Sequence, residues 1–406
     1  MPSNHAFSPS RLRIALAADP LEEGWISMDL AAHMTETLLR AHWSDRFEIV
    51  TIRPSWPRRL TKSRGDSAPK AARDIDRAMG RHWDAVRQVR RSLRRERFDA
   101  LHVIDHSYAH VIPPRSWGLP TVVTCYDLDA FRCLIDPAAE PRPWWFRALA
   151  RRTSRGLRRA DRVICASAAT RDALANLGWT VDRLRIAHLG VHPECSPDPC
   201  PDADARASRL IGLDVANRPM LLHVGSNIPR KRIDILLGAF AAFRAIEPRA
   251  ILIKVGGEFE PRQREWISSL GLTIGDAIRV LPKFDPARAE DRATLAAVYR
   301  QADLALMPSE AEGFGLPVAE ALACGVPMLA SDLPVLREVG GDACLYAKVG
   351  DVEGWSAAIG DFFAKRGDRA QDRRLHREAR TRQAGRYSWR AHVEVLAGAY
   401  EEIAGG

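Results

Sequence analysis

Short apolar runs with strand-like composition alternate with longer amphipathic stretches through most of the chain, in two successive series. Strands that alternate with helices form βαβ units, and such units build parallel sheets covered by helices. A proline-rich segment at 191–201 separates the two series. The 406 residues also exceed what one hydrophobic core usually supports. We therefore predict an α/β protein with two doubly wound, Rossmann-like domains over 1–197 and 198–385.

The predicted elements of both series follow from the same alternation. Strand-like segments are predicted at 12–18, 47–52, 100–104, 121–125, 162–167, 184–188, 220–224, 250–255, 277–281, 303–307 and 326–330. Helical stretches are predicted at 24–41, 71–97, 143–159, 231–245, 287–301 and 387–403. The last helix has no strand after it, so the pattern allows it to pack on either domain. Ligands are expected at the carboxyl ends of the strands.

Several protein classes are disfavoured by the sequence. No apolar run approaches the ~20 residues that span a bilayer, and the polar start at 1–13 does not resemble a signal peptide, so we expect a cytoplasmic protein. The seven cysteines are scattered without a C-x-x-C pair, which argues against a disulfide framework. A cluster of residue types that could bind zinc lies in the proline-rich segment, which we interpret as a linker. This cluster comprises His188, His192, Cys195 and Cys200.

The chain is basic, with 60 Lys and Arg against 51 Asp and Glu, and a net charge of +9. This excess indicates either an anionic partner or a compositional bias towards arginine. The segment 81–97 combines many arginines with a Trp, Val and Leu stripe. It is interpreted as a surface helix packed on its sheet, or as a helix attracted to anionic lipid headgroups. No nucleic-acid recognition motif is present, so a nucleic-acid partner is not expected.

The segment 309–327 carries the strongest functional signal and lies between two predicted strands. Gly313 and Gly315 permit a tight loop that a ligand can approach closely, and Pro317 suits the first turn of a helix. The free N–H groups of a helix start form a natural anion site. Glu312 and Glu320 supply carboxylates, which accept strong hydrogen bonds from hydroxyls. The pattern predicts a site for sugar and ribose hydroxyls beside a phosphate cradle.

A second signal is the segment 224–234, which follows a strand and opens a helix. Gly225 lets the loop turn, and Arg230 and Lys231 place positive charge where a diphosphate would lie. Cations at a helix start oppose the helix dipole. This unfavourable placement favours a bound anion over a merely solvated helix end.

These two segments resemble glycosyltransferase family 4, a large retaining family with the GT-B fold. Glu312-Gly-Phe-Gly-Leu-Pro-Val-Ala-Glu320 resembles its E-x7-E motif, and 323–331 resembles the usual continuation. The segment 225–231 resembles the phosphate loop of the family. Weaker similarities lie in the first half, at 99–105, 120–124 and 163–167.

The resemblance implies two domains facing a central cleft, with the helix at about 386–406 crossing back to the first, acceptor-binding domain. It implies a UDP- or GDP-sugar as donor, no obligatory metal and no other cofactor. The implied donor-binding residues of the second domain are Gly225, Ser226, Lys283, Phe284, Phe314, Gly315, Leu316, Pro317 and Glu320. Lys283 and Phe284 would pass the base, Glu320 would bind the ribose, and the backbone of 314–316 would donate to sugar and phosphate. The implied catalytic residues are Arg230 and Lys231 at the leaving diphosphate, Glu312 at the donor sugar, and Asp127 on the acceptor side.

The sequence departs from the family pattern at several positions. Ser226 follows Gly225 where the family often has Gly-Arg. Tyr126 stands where the family often has an active-site histidine, and His106 or His110 could contribute instead. Gly24 stands alone where the family usually has paired glycines. We place Gly24, His106 and Tyr126 on the acceptor side.

The implied reaction moves a hexosyl group, of mannose or glucose type, to a hydroxyl of a saccharide or lipid-linked saccharide. Attack on the same face, with the leaving phosphate taking the proton, is the mechanism commonly proposed for the family. Asp127-Leu-Asp129 also resembles the Asp-x-Asp motif of some metal-dependent glycosyltransferases. We interpret that pattern as coincidental, because cations and helix ends serve the diphosphate here. Cell-surface polysaccharide or glycolipid synthesis is the expected setting, with peripheral contact to an anionic membrane as a further expectation.

Two alternative functions stay open. One is another enzyme with the same fold, such as a nucleotide-sugar epimerase or a glycogen-type synthase or phosphorylase. The other is a non-catalytic protein that binds sugar nucleotides, which the tyrosine at position 126 favours.

Overall fold

A computed structural model of the protein describes residues 11–62, 69–215, 218–365 and 370–405. Most of the polar start on which the expectation of no signal peptide rests lies outside these residues. The chain divides into two compact units. The first contains Met1–His188 and Trp389–Gly406, and the second contains Leu189–Ser388.

The first unit holds a parallel sheet with the strand order β2-β1-β3-β4-β5-β6. Its strands are β1 (Leu12–Ala17), β2 (Phe47–Ile52), β3 (Ala100–Val103), β4 (Thr121–Cys125), β5 (Arg162–Cys165) and β6 (Leu184–Ile186). Its α-helices are α1 (Ile26–His42), α2 (Lys70–Met79), α3 (Ala85–Arg95), α4 (Arg132–Ile135), α5 (Trp144–Leu157), α6 (Ala168–Asn176) and the terminal α15 (Trp389–Ala404).

The second unit holds a parallel sheet with the strand order β12-β11-β10-β7-β8-β9. Its strands are β7 (Met220–Val224), β8 (Ile251–Val255), β9 (Ile278–Leu281), β10 (Leu304–Met307), β11 (Met328–Ser331) and β12 (Leu345–Ala347). Its α-helices are α7 (Pro201–Ile211), α8 (Ile233–Ile246), α9 (Pro261–Ser269), α10 (Ala289–Gln301), α11 (Leu316–Ala323), α12 (Pro334–Gly340), α13 (Val352–Ala364) and α14 (Ala370–Ala384).

The strand order reverses once in each sheet, between β1 and β3 in the first and between β10 and β7 in the second. In open α/β sheets the crevice for ligands forms outside the carboxyl ends of the strands at such a point. The predicted phosphate loop follows β7 and the predicted carboxylate motif follows β10. The two motifs that are distant in sequence therefore start from neighbouring strand ends.

The core of the first unit lies on both faces of its sheet. Along β1, Ile14 and Leu16 belong to one buried cluster, whereas Ala15 and Ala17 belong to the other, because successive side chains point to opposite faces. Tyr400 of α15 is buried in the same cluster as Ile14. The terminal helix thus packs on the first unit, as the family resemblance implied.

The predicted helix over 71–97 is not continuous. A π-helical turn at Gly80–Asp84 separates α2 from α3. A Cβ atom on Gly80 would lie 2.2 Å from Cγ of Trp56, so only glycine allows this close approach. The buried His82 ring meets the His110 ring with a centroid distance of 4.3 Å. The π-helical turn accompanies these aromatic contacts, which the hydrophobic periodicity of the sequence does not reveal.

The division between the units falls at 188/189, whereas the sequence predicted 197/198. The intervening residues associate with the second unit. Glu194 forms a 2.7 Å ion pair with Arg292 of that unit, and an isolated bridge joins Val191 to Ser388. Strand β12 and helices α4, α6, α7, α9, α12, α13 and α14 were also not predicted. Among the described residues, no helix is both long and apolar enough to cross a bilayer.

Candidate functional site

The loop after β7 is built on a close backbone contact. The N–H of Gly225 donates to the carbonyl oxygen of Val255 at the end of β8, with an N···O distance of 3.0 Å. A Cβ atom on Gly256 would lie 2.2 Å from the carbonyl oxygen of Gly225, so the two loops can meet only through glycine. The chain then passes Ser226, which is half-buried, and enters a 3-10 turn at Pro229–Lys231.

Two cations of that turn meet the first carboxylate of the E-x7-E motif. Nζ of Lys231 lies 2.6 Å from Oε1 of Glu312, and Nη1 of Arg230 lies 3.1 Å from Oε2. Arg230 Nη1 also donates to the carbonyl oxygen of Ala311 at 2.9 Å. The side chains of Glu312, Lys231 and Arg230 are 6%, 11% and 19% exposed. Each carboxylate oxygen is therefore paired with its own cation, and all three side chains are largely buried.

The charges of these three residues are linked. Burial opposes ionisation of Glu312, but the charges of Lys231 and Arg230 outweigh it and hold the pKa of Glu312 below its ordinary value. With Glu312 ionised, the group carries one net positive charge. The sequence assigned the cations to diphosphate and the carboxylate to sugar; the structure joins all three in one ion-pair group.

The second carboxylate of the motif lies on α11. The hydroxyl of Tyr299 on α10 donates to Oε2 of Glu320 over 2.9 Å. Burial raises the pKa of Glu320, although the hydrogen bond from Tyr299 opposes the rise. Tyr299 was not identified from the sequence. It fixes the orientation of Glu320 from a neighbouring helix, which makes it a positioning residue for this carboxylate.

The start of α11 requires glycine. Gly315 is the N-cap, with a φ of 97°, and Leu316 and Pro317 form the first turn. A Cβ atom on Gly315 would lie 2.6 Å from Cδ2 of Leu336. Phe314 is buried, and its ring lies edge-on to the ring of Tyr387 at 5.4 Å. These contacts fix the loop. The backbone N–H groups of the first helical turn lie directly after it.

We expect Gly315→Ala to lower the free energy of unfolding by about 1–3 kcal/mol, since it combines strain at positive φ with a steric clash. Gly360→Ala is the matched control. Gly360 lies within α13, and a Cβ atom there would meet nothing within 4 Å, so this change should be neutral or stabilising by up to ~1 kcal/mol. Urea denaturation of both variants measures the difference. Equal stabilities would contradict the proposed constraint at Gly315.

The residues predicted to pass the nucleobase follow β9. Lys283 is exposed and Phe284 is half-buried. A Cβ atom on Gly257 would lie 3.3 Å from Cε of Lys283, so this lysine lies against the loop after β8. Lys254, inside β8, was not singled out from the sequence. It is fully buried, and its Nζ donates to the carbonyl oxygen of Gly257 at 2.7 Å. Burial lowers the pKa of Lys254 to about 8.

A third residue missed by sequence reasoning is His223 in β7. Nδ1 of His223 lies 3.0 Å from the carbonyl oxygen of Leu306 in β10, which links the two strands whose ends carry the site. Burial lowers the pKa of His223 to about 3, so the ring stays neutral at physiological pH. A Cβ atom on Gly225 would lie 2.9 Å from Nε2. The imidazole therefore packs against Gly225, at the start of the predicted phosphate loop.

The predicted acceptor-side residues lie in the first unit. His106 follows β3 and is buried between two carboxylates. Its Nδ1 lies 3.2 Å from Oδ1 of Asp105, and its Nε2 lies 3.6 Å from Oδ1 of Asp127, which follows β4. His110 instead contacts Thr153 at 3.1 Å. Of the two histidines that the sequence left open, His106 is the one beside Asp127.

Further carboxylates join this cluster. Asp19 follows β1, and burial together with the charge of Asp105 raises the pKa of Asp19 well above its ordinary value. Asp105 accepts a hydrogen bond from the backbone N–H of Ser107 at 2.7 Å. Glu23 has a fully buried side chain that accepts from Nε of Arg81 at 2.8 Å. The strand ends of the first unit thus hold a cluster of largely buried polar groups, most of them carboxylates.

Two family models match the chain. The model described as Glycosyltransferase Family 4 matches residues 31–194, and the model described as Glycosyl transferases group 1 matches 218–365. Together they span most of both units. The chain belongs to glycosyltransferase family 4. Its two doubly wound units are those of the GT-B fold.

One curated relative is the D-inositol 3-phosphate glycosyltransferase of Saccharomonospora viridis. It is 31% identical over 302 residues, which are 70% of this chain and 65% of the relative. The protein of the same name from Geodermatophilus obscurus is 35% identical over 209 residues, and the match spans 43% of its length. The chain thus matches less than two thirds of these family 4 relatives.

Solved structures show the same fold over nearly the whole chain. The sucrose-phosphate synthase of Thermosynechococcus elongatus superposes with a TM-score of 0.70 at 20% identity, covering 97% of this chain and 99% of that one. The HepE protein of Anabaena, solved in complex with UDP-glucose, gives a TM-score of 0.66 at 17% identity, with coverage of 97% and 99%.

The family histidine position is occupied by Tyr126, which is buried. Burial raises the pKa of its hydroxyl, so the residue does not ionise near neutral pH. Gly24 ends a short 3-10 turn with a φ of 66°, a left-handed conformation that suits glycine, and a Cβ atom there would meet nothing within 4 Å. The structure thus buries Tyr126 and places His106 beside Asp127.

The sequence raised two residue patterns as possible metal sites, Asp127-Leu-Asp129 and the cysteines and histidines of 188–200. The backbone N–H of Asp129 donates to Oδ1 of Asp127 over 3.0 Å, a turn in which the first carboxylate caps the second residue. Within the ranges that the structure describes, no group of three or more His, Cys, Asp or Glu side chains is arranged to hold a metal ion. This statement includes the cysteines and histidines of 188–200.

Proposed function

We propose that the protein is a retaining glycosyltransferase that moves a hexosyl group, of mannose or glucose type, from a nucleoside-diphosphate sugar to an acceptor hydroxyl. The observation that carries the proposal is the ion-pair group of Lys231, Arg230 and Glu312 at the adjoining ends of β7 and β10. It offers cations for a diphosphate and a carboxylate for sugar hydroxyls at one place. UDP is favoured as the nucleotide because HepE, which shares the fold, was solved with UDP-glucose; GDP is the alternative.

Departure of the diphosphate builds negative charge on its leaving oxygen. Lys231 and Arg230 are held in place before the reaction and stabilise that charge without reorganisation. The bond from the anomeric carbon to the phosphate oxygen breaks, and its electron pair stays on the diphosphate. The acceptor hydroxyl forms the new bond on the same face and gives its proton to the departing phosphate oxygen. Since two side-chain cations serve the leaving group, the proposal needs no metal.

The acceptor is proposed to bind at the strand ends of the first unit. A saccharide offers many hydroxyl donors, and carboxylates accept such bonds strongly. Asp127 and His106 are the polar residues there, and the other nitrogen of the imidazole lies 3.2 Å from Asp105. We further propose a saccharide or lipid-linked saccharide acceptor, in cell-surface polysaccharide or glycolipid synthesis at the cytoplasmic face of an anionic membrane.

The first test is thermal stabilisation by nucleotides. We expect one diphosphate among UDP, GDP, ADP and dTDP to raise the melting temperature, because a ligand that binds only the folded state adds stability. At a hundredfold excess over the dissociation constant the gain is about 2.7 kcal/mol. Adding Mg²⁺ should not be required for the shift.

Turnover then separates transfer from the alternatives. The matching sugar nucleotide, incubated with saccharide acceptors, should release diphosphate and give a product with the anomeric configuration of the donor, measurable by NMR. An epimerised free sugar would indicate the epimerase. Diphosphate binding without any turnover would support the non-catalytic function, and no shift with any nucleotide would contradict the donor site.

A further inference from the structure

The first unit carries a groove of about 610 Å³ that lies between α3 and α5 and is dominated by arginine. We call this feature the arginine groove. Its six arginines are Arg87, Arg90, Arg91, Arg94, Arg95 and Arg152. None of them belongs to the ion-pair group of the second unit or to the carboxylate cluster that the proposed reaction uses.

The arginine groove carries positive charge that is not paired with carboxylates in the described part of the chain. Among the residues that the structure describes, no carboxylate forms an ion pair with any of the six arginines. Arg90 donates instead to the carbonyl oxygen of Ile112, at 3.0 Å. Burial and the charge of Arg152 lower the pKa of Arg90, and burial and the charge of Arg159 lower that of Arg152. Arginines that repel one another in a groove are stabilised when an anion occupies it.

Exposed aromatic side chains border the same arginines. Trp83, in the groove wall, is 56% exposed, and the guanidinium of Arg152 lies 6.0 Å from its ring centroid. Trp145 is 46% exposed and precedes Arg152 by seven residues on α5, which places both on one helix face. Tryptophan beside basic residues is typical of the boundary between lipid headgroups and acyl chains.

We propose that the arginine groove, Trp83 and Trp145 form a docking surface for the phosphate groups of anionic phospholipids. Charge complementarity supports a lipid surface over a single soluble anion. The exposed arginines from Arg87 to Arg95 run along about 12 Å of α3, a length that several headgroups span and one phosphate does not. The inference rests on the lipid-linked acceptor of the proposed function and names the surface that would bring the enzyme to it.

The test is sedimentation of the full chain with vesicles. Vesicles of phosphatidylcholine mixed with phosphatidylglycerol should bind the protein at low salt, and phosphatidylcholine alone should not. The triple variant Arg87→Gln, Arg91→Gln, Arg95→Gln changes three exposed side chains and should keep the fold. At about 1 kcal/mol for each basic residue near the surface, its partition coefficient should fall on the order of 100-fold. Trp145→Ala should weaken binding without changing its salt dependence.

A matched control removes the same charge elsewhere. Arg115, Arg209 and Arg262 are exposed and lie outside the groove, so their combined change to Gln should leave vesicle binding within a few-fold of wild type. An equal loss in both triple variants would show that net charge alone drives binding and would overturn the docking surface. Absence of binding to anionic vesicles would overturn it as well.

Two further measurements separate the sources of failure. Inorganic phosphate at millimolar concentration should raise the melting temperature of wild type by no more than it raises that of the groove variant. A larger rise in wild type would indicate a soluble anion and overturn the lipid assignment. Transfer to a soluble acceptor should be unchanged in the groove variant. Vesicle binding without any transfer would contradict the proposed function alone, and transfer without vesicle binding would contradict this inference alone.

Discussion

Lys231→Ala is expected to lower kcat by roughly 10²–10³-fold, which corresponds to ~3–4 kcal/mol of lost transition-state stabilisation. The ammonium lies 2.6 Å from Glu312 in a site that is 11% exposed at Lys231, so its field at the leaving diphosphate is little screened. Removal also leaves Glu312 with one cation instead of two. Steady-state release of diphosphate from the donor, with acceptor present, measures the effect.

Lys348→Ala is the matched control, since it removes an exposed lysine of the same unit from outside the site. It should leave kcat within twofold of wild type. The two variants should be compared at equal folded fraction, because Lys231→Ala also breaks a buried ion pair. Near-normal turnover of folded Lys231→Ala would show that this lysine does not stabilise the leaving group.

Strands β1 to β11 were predictable because parallel strands are buried on both faces and form short, continuous apolar runs. The runs at 47–52 and 121–125 coincide with β2 and β4. The π-turn at Gly80–Asp84 was not predictable. It depends on the contact of Gly80 with Trp56, which is set by tertiary packing across 24 positions of the chain.

The donor-site motifs were predictable because they are local, but their mutual pairing was not. Glu312 meets Lys231 only because β10 lies beside β7, a neighbourhood that follows from the strand order and not from spacing. His223 and Lys254 escaped notice because a single polar residue inside an apolar strand carries no motif. Their role appears only from the carbonyl oxygens to which they hydrogen-bond.

The carboxylate cluster of the first unit had a usable signal in the sequence. Asp19, Asp105 and Asp127 each come within two residues of the carboxyl end of a predicted strand. Since these ends meet at one edge of a parallel sheet, the three carboxylates could have been placed together. The sequence analysis singled out Asp127 but did not connect it with Asp19 or Asp105.

Glu312→Gln is expected to separate the two proposed roles of the ion-pair group, which are binding of the diphosphate by the cations and recognition of the sugar by the carboxylate. Without ligand it leaves Lys231 and Arg230 largely buried and uncompensated. Breaking a buried pair costs about 3–5 kcal/mol, and the partial exposure of both cations places the expected loss of unfolding free energy near ~3 kcal/mol. Glu353→Gln, an exposed change on α13, is the control and should alter stability by less than ~0.5 kcal/mol.

The sign of the pH dependence follows from the lowered pKa of Glu312. A carboxyl whose pKa is lower in the folded state stabilises the fold above its unfolded pKa and loses that contribution as pH falls through the folded value. The stability gap between wild type and Glu312→Gln should therefore be largest at neutral pH and narrow in acid. Chemical denaturation across that pH range measures it, and a gap independent of pH would show that the variant acts through packing.

Diphosphate binding gives the decisive contrast. In wild type a diphosphate competes with Glu312 for the two cations, whereas in Glu312→Gln it meets them without an opposing charge. The variant should therefore bind the nucleoside diphosphate at least as tightly as wild type, by calorimetry, while it loses transfer because the sugar hydroxyls no longer meet a carboxylate. Weakened diphosphate binding together with lost transfer would mean that Glu312 organises the phosphate loop and does not recognise the sugar.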